Sequence, residues 1–148
     1  CHQGGVRRDG DTLFVSGRES TFPRRVCAWI KEAARSDCKE HIDRVACDLG
    51  RRPRGIALRD PRSRWGSCTE NGDLMFSWRL VLAPTDVLEY VVVHEMAHLV
   101  EMNHSRRFWA VVEKLMPHYS EPRAWLRKSG SALHAINFSY RSPNERAD

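Results

Sequence analysis

Five cysteines stand apart at Cys1, Cys27, Cys38, Cys47 and Cys68, and no two of them form a C-x-x-C pair. The odd number and wide spacing argue against both a zinc finger and a disulfide framework. Reduced, mostly buried thiols and a cytoplasmic setting are expected instead. No apolar run approaches the ~18 residues of a membrane span, because His94, Glu95 and His98 interrupt the best one. A G-x-x-x-x-G-K-[ST] loop is missing, so any triphosphate would be held without that cradle. Internal repeats and linkers are also missing, which predicts one domain over residues 1–138 and a polar, disordered tail over 139–148. No signal peptide is visible. The chain opens at Cys1 rather than at a methionine, and a missing N-terminal portion is expected.

What is present is ordinary in bulk. A chain of 148 residues with 41% hydrophobic and 29% charged side chains is large enough for a real core. Lys and Arg number 24 against 19 Asp and Glu, giving a net charge of +5 that is carried mostly by arginine. That balance favours anionic partners (a nucleotide, a nucleic acid or an acidic peptide) without choosing among them.

The informative stretch is His94-Glu95-Met96-Ala97-His98, with His104 six residues further on. On a helix, residues 94 and 98 lie one above the other, about 6 Å apart along the axis. Two imidazoles so placed can bind one tetrahedral zinc ion. Glu95 lies about 100° around the helix, beside the metal rather than on it, where it can take a proton from a metal-activated water. A catalytic zinc needs a third protein ligand, and His104 is the leading candidate. The helix must end before it can return, and Asn103 is predicted to supply a left-handed cap.

Around this motif the pattern reads as α+β. Val6 to Ser20 predicts a hairpin turning at Asp9-Gly10-Asp11. Phe22 to Leu49 follows as a long helix, with Thr21 as N-cap, Pro23 in the first turn and Gly50 as C-cap. His41, near its apolar face, is expected to be a core or surface residue rather than a ligand. Ile56–Arg59 and Arg64–Cys68 are predicted strands, and Asn71-Gly72 predicts a turn. Alternation from Leu74 to Leu82 predicts a half-buried strand with Arg79 facing away from the core. The metal helix is expected over residues 84–102, apolar nearly all round and central, in spite of the β-branched run Val91-Val92-Val93. Ser105 to Leu115 and Glu121 to Leu133 predict two further helices.

At Arg62-Ser63-Arg64-Trp65-Gly66-Ser67-Cys68, Trp78-Arg79-Leu80, Tyr90-Val91-Val92-Val93-His94-Glu95 and Asn103-His104 through Phe108-Trp109, the sequence resembles the YgjP-like family of metal-dependent hydrolases. The likeness runs from about Phe22 to Leu133. In its metal helix that family is similar to the SprT-like and WLM zinc peptidases. The resemblance implies a zincin-like fold, a small and mostly antiparallel sheet with the metal helix beneath an edge strand. It implies a zinc ion held by His94, His98 and His104, with Glu95 as catalytic glutamate. The family is labelled peptidase by fold and motif, and UTP pyrophosphatase activity has also been attributed to members.

Glu101 stands where the metzincin pattern has glycine, which argues against that assignment, and it is either an orienting group or a solvated one. Glu113 is the competitor to His104 as third ligand. Arg62, Arg64 and Arg79 are candidate substrate-binding residues that could pair with phosphate or carboxylate groups, or else be solvated. Gly66 is expected to allow close backbone approach to a ligand, and Cys68 to be a small buried residue rather than a nucleophile. Tyr119, His118 and the arginines are the candidates for stabilising an oxyanion. Three functions stay open: a zinc peptidase, a nucleotide hydrolase using the same centre, and a noncatalytic nucleic-acid-binding protein.

Overall fold

The computed structural model describes residues 5–9 and 12–138. Its elements are β1 (Val6–Asp9), β2 (Thr12–Val15), α1 (Phe22–Leu49), β3 (Gly55–Arg59), β4 (Gly66–Cys68), β5 (Asp73–Ser77), α2 (Thr85–Ala97), α3 (Arg106–Leu115) and α4 (Ser120–Ala135). Short 3-10 turns cover Glu19–Thr21 and Trp78–Leu82. The fold is α+β. Strands β1 and β2 pair antiparallel, from Val6 with Val15 to Asp9 with Thr12. The turn expected at Gly10-Asp11 and the tail expected from residue 139 lie outside the described residues.

Helix α1 starts and stops where its signals stand. Pro23 sits in its first turn, and Gly50 closes it at φ 74° with its N–H donating to the Ala46 carbonyl at 2.8 Å. Thr21 does not cap through its side chain; its hydroxyl donates to the Arg18 carbonyl instead. The buried face carries Ile30, Ala34, Cys38, His41, Ile42 and Val45. His41 accepts from the Arg44 guanidinium at 2.9 Å, and Arg44 also pairs with Glu89 of α2. Of the described cysteines only Cys38 is fully buried; Cys27 and Cys68 are half-buried, Cys47 is exposed, and all four are free thiols.

The larger sheet has the order β3-β5-β4 and is mixed. Strand β3 runs parallel to β5, Ile56 opposite Leu74, and β4 runs antiparallel to it, Gly66 opposite Phe76. The alternation from Leu74 to Leu82 does not describe a single strand. The strand ends at Ser77, whose hydroxyl accepts from the Arg79 N–H and opens the 3-10 turn. Trp78, Arg79 and Leu80 are all buried in that turn, so the alternation there is one of residue type and not of exposure, and Arg79 does not face away from the core.

Helix α2 runs through the middle of the core. Its β-branched run sacrifices a few tenths of a kcal/mol per valine in helix propensity. Burial outweighs this at about 1.5–3 kcal/mol per side chain, because Val91, Val92 and Val93 are all nearly inaccessible. The helix ends at Ala97, well short of Met102, and residues 98–100 form a turn. No described non-glycine residue has positive φ, so Asn103 is not a left-handed cap. The chain reverses instead through the Glu101 N–H to the Ala97 carbonyl and the Ser105 N–H to the Asn103 carbonyl. Ser105 then caps α3, its hydroxyl accepting from the Phe108 N–H. No helix among the described residues is long and apolar enough to cross a membrane.

Candidate metal centre

The reversal after α2 brings His104 back over the helix end. Its Nε2 lies 3.1 Å from Nε2 of His98 and 3.2 Å from Nε2 of His94. Ligand atoms on a tetrahedral zinc with bonds of about 2.05 Å are separated by about 3.3 Å, so these spacings fit one such ion. The ligand atoms of the three residues all lie within 4.8 Å of one another. Glu113 is not part of this group.

The rings are oriented from behind. His98 Nδ1 lies 3.0 Å from the Glu101 carbonyl, which can only accept, so Nδ1 carries the proton and Nε2 offers its lone pair to the cluster. Glu101 therefore contributes its backbone rather than its carboxylate. The Tyr90 hydroxyl lies a long 3.4 Å from His94 Nδ1. Phe108, fully buried on α3, packs against all three imidazoles, stacking on His98 at 4.4 Å between centroids. Burial, with the neighbouring His98, His104 and Arg123, pushes the His94 pKa down to about 4, and burial lowers that of His98. Neutral imidazoles are what a metal ion requires.

Glu95 is 7% exposed and receives no hydrogen bond from the described residues. Among these residues no fully occluded side-chain polar atom lacks a partner, so its oxygens open to the adjoining cavity. Burial raises its pKa to about 7, against the opposing charge of Arg64. Edge strand β4 lies directly on this residue: a Cβ on Gly66 would stand 3.0 Å from Glu95 Cγ, 3.0 Å from the Met75 carbonyl oxygen and 3.1 Å from Val91. The close approach that Gly66 permits is thus between the strand and α2.

Residues 8–129 match the profile of the YgjP-like metallopeptidase domain. The chain belongs to the YgjP-like family. That membership identifies it as a metal-dependent hydrolase of the metallopeptidase type. A similar solved structure is the metallopeptidase zymogen of Pyrococcus abyssi abylysin, with a TM-score of 0.56 and 20% identity over 63% of this chain and 95% of that one. At that identity the likeness concerns the fold. No curated protein matches the sequence significantly.

The three arginines singled out in this family member's sequence part company. Arg64 is exposed and lies close enough to Glu95 to act on its charge. Arg62, exposed, donates a long 3.4 Å hydrogen bond to the His134 carbonyl and lies near Asp60. Arg79 is 4% exposed and committed elsewhere: it holds Asp60 through Nε at 2.6 Å and Nη2 at 3.2 Å, and donates to the carbonyls of Leu133 and Ile136. The expected substrate contact at Arg79 is therefore corrected to a structural ion pair. Burial, helped by Glu95, pushes the Cys68 thiol up to about 11, in keeping with a packing role. Tyr119 stacks between Trp109 and Tyr90 near His94, while His118 is exposed.

Two arginines that the sequence reading passed over border the site. A cavity of about 240 Å³ adjoins His94 and Glu95, with Arg123, Leu126 and Arg127 of α4 on one side and Trp65 and Gly66 on the other. The signal was available, since Arg123 and Arg127 share a helix face and no acidic residue stands three or four positions from either. A larger cavity of about 620 Å³ lies between the hairpin and the second 3-10 turn and touches none of the three histidines.

Proposed function

We propose that the protein is a zinc-dependent peptidase in which Glu95 is the general base. The observation carrying this reading is the convergence of three imidazole Nε2 atoms beside a buried carboxylate that receives no hydrogen bond from the described residues. His94, His98 and His104 would hold the ion, leaving one position open. What zinc supplies when bound there is Lewis acidity, which acidifies a water and polarises the carbonyl under attack.

The remaining work falls to the chain. Glu95 takes a proton from the attacking water on a carboxylate oxygen and returns it to the amide nitrogen as the C–N bond breaks. A pKa near neutrality suits a group that must both accept and release that proton. Strand β4 is an edge of its sheet, so an extended peptide could add along it by main-chain hydrogen bonds. Gly66 keeps that edge in contact with Glu95.

The test compares zinc-loaded protein with its Glu95→Gln variant on unfolded protein substrates and on UTP. Peptide fragments that disappear in the variant support the reading. Pyrophosphate or phosphate release from UTP that depends on Glu95, with no peptide cleavage, would move the centre to nucleotide hydrolysis. Full activity in the variant would remove Glu95 as base, and an unimpaired nucleic-acid-binding function in it would favour the noncatalytic alternative.

A further inference from the structure

The cavity beside Glu95 has a composition that the hydrolytic reading leaves unused. Its walls are apolar where Trp65, Val91 and Leu126 face it, yet two arginines, Arg123 and Arg127, line its α4 side. Arg123 is half-buried, its guanidinium 4.3 Å from the Trp109 ring centroid. Stacking of this kind engages the flat face of the group and leaves its N–H edge free for hydrogen bonds. Arg127 follows one turn later on the same helix face. Among the described residues no carboxylate lies within ion-pair distance of either. Arg44, Arg52, Arg54 and Arg79, by contrast, each hold an acid. Glu95 is the single acid on the cavity wall, and Arg64 adds a third positive charge near it.

The direction of β4 says which part of a substrate reaches this cavity. A peptide added antiparallel to Gly66–Cys68 runs from the Cys68 end towards the Trp65 end. The cavity lies at the Trp65 end, so in that orientation it would receive the residue on the C-terminal side of the scissile bond. A volume of about 240 Å³ falls below the roughly 300–1,000 Å³ of pockets for drug-sized ligands, and so suits one side chain better than a whole nucleotide.

We infer that Arg123 and Arg127 make this cavity a carboxylate-selecting subsite, which favours an aspartate, a glutamate or a free chain terminus immediately after the cleaved bond. The inference rests on the peptidase reading, and two measurements keep their failures apart. In the first, zinc-loaded protein digests a randomised ten-residue peptide mixture and the cleavage sites are read by mass spectrometry. Acidic residues after the bond should be preferred over their amides about tenfold or more. Arg127→Glu, an exchange at an exposed position, should turn that preference towards lysine and arginine. Cleavage without charge preference, or a preference unchanged in Arg127→Glu, overturns the inference and leaves the peptidase reading intact.

The second measurement needs neither metal nor turnover. The indole N–H signals of Trp65 and Trp109 in zinc-free protein are followed during titration with N-acetyl-glutamate amide, N-acetyl-glutamine amide and N-acetyl-leucine. Shifts with the glutamate probe identify a side-chain carboxylate, and shifts with the acetyl-leucine acid identify a chain terminus. Either should be absent with the glutamine probe and lost in Arg127→Glu. Such shifts without any peptide cleavage would uphold the subsite and overturn the peptidase reading, whereas equal shifts with the glutamate and glutamine probes, or shifts with UTP alone, would overturn the subsite.

Discussion

Glu95 and Arg79 are both ionisable side chains largely buried in the same small protein, 7% and 4% exposed, and their surroundings could hardly differ more. Arg79 meets a carboxylate on two nitrogens and donates to two backbone carbonyls. Its hydrogen bond holds the Asp60 carboxyl below the usual carboxylate range. Glu95 has no hydrogen-bond donor among the described residues, and burial holds its proton affinity up near neutrality. A buried charge with every valence met reports on stability. One left unmet, beside three converging imidazoles, reports on chemistry.

The sharpest way to break the comparison is to neutralise each charge in turn. Glu95→Gln should keep its metal and lose about 10²–10⁴ in kcat, measured by turnover alongside metal analysis, while the melting temperature holds or rises. His104→Ala should lower zinc affinity by more than the ~10–100-fold typical of an orienting partner, read by competition with a chelator. Unchanged affinity would remove His104 as the third ligand.

At the other site, Asp60→Ala should cost about 2–3 kcal/mol in denaturant unfolding, somewhat below the usual loss for a buried pair because Asp60 is partly exposed. Zinc binding should not change. Since the folded-state pKa of Asp60 is depressed, its contribution is present above the ordinary aspartate pKa and is lost as pH falls through the folded value. Asp60→Asn should therefore flatten the acid side of the stability profile.

Smaller effects refine the picture. Gly66→Ala should cost about 1–3 kcal/mol through crowding and lower turnover further by moving β4 off Glu95, measured as kcat at equal folded concentration. Tyr90→Phe removes only a long hydrogen bond to His94 and should weaken zinc binding by about tenfold or less.

These two regions also mark where the sequence could be read. The histidines, Glu95 and the bounds of α1 follow from local signals: helical spacing, Pro23 and Gly50. Arg79 could not be placed that way, because its burial depends on Asp60 and on carbonyls more than fifty residues downstream. The same holds for β3, whose parallel pairing to β5 leaves no local trace, and for Gly66, whose neighbours come from α2 and β5. The strand predicted through Leu82 failed for a different reason. Alternating apolar residues suit a strand with one wet face, but also a 3-10 turn wedged between two core clusters.

The Glu101 carbonyl that fixes the His98 ring belongs to the peptide unit, and nearly every amino acid would bring it there. The orientation of a ligand is thus stored in the length and path of the chain between His98 and His104 rather than in a particular letter. Substitution at position 101 should be tolerated by the centre, whereas the insertion or deletion of one residue in that stretch would rotate one imidazole and misplace another together. In this loop, spelling is free and metre is not.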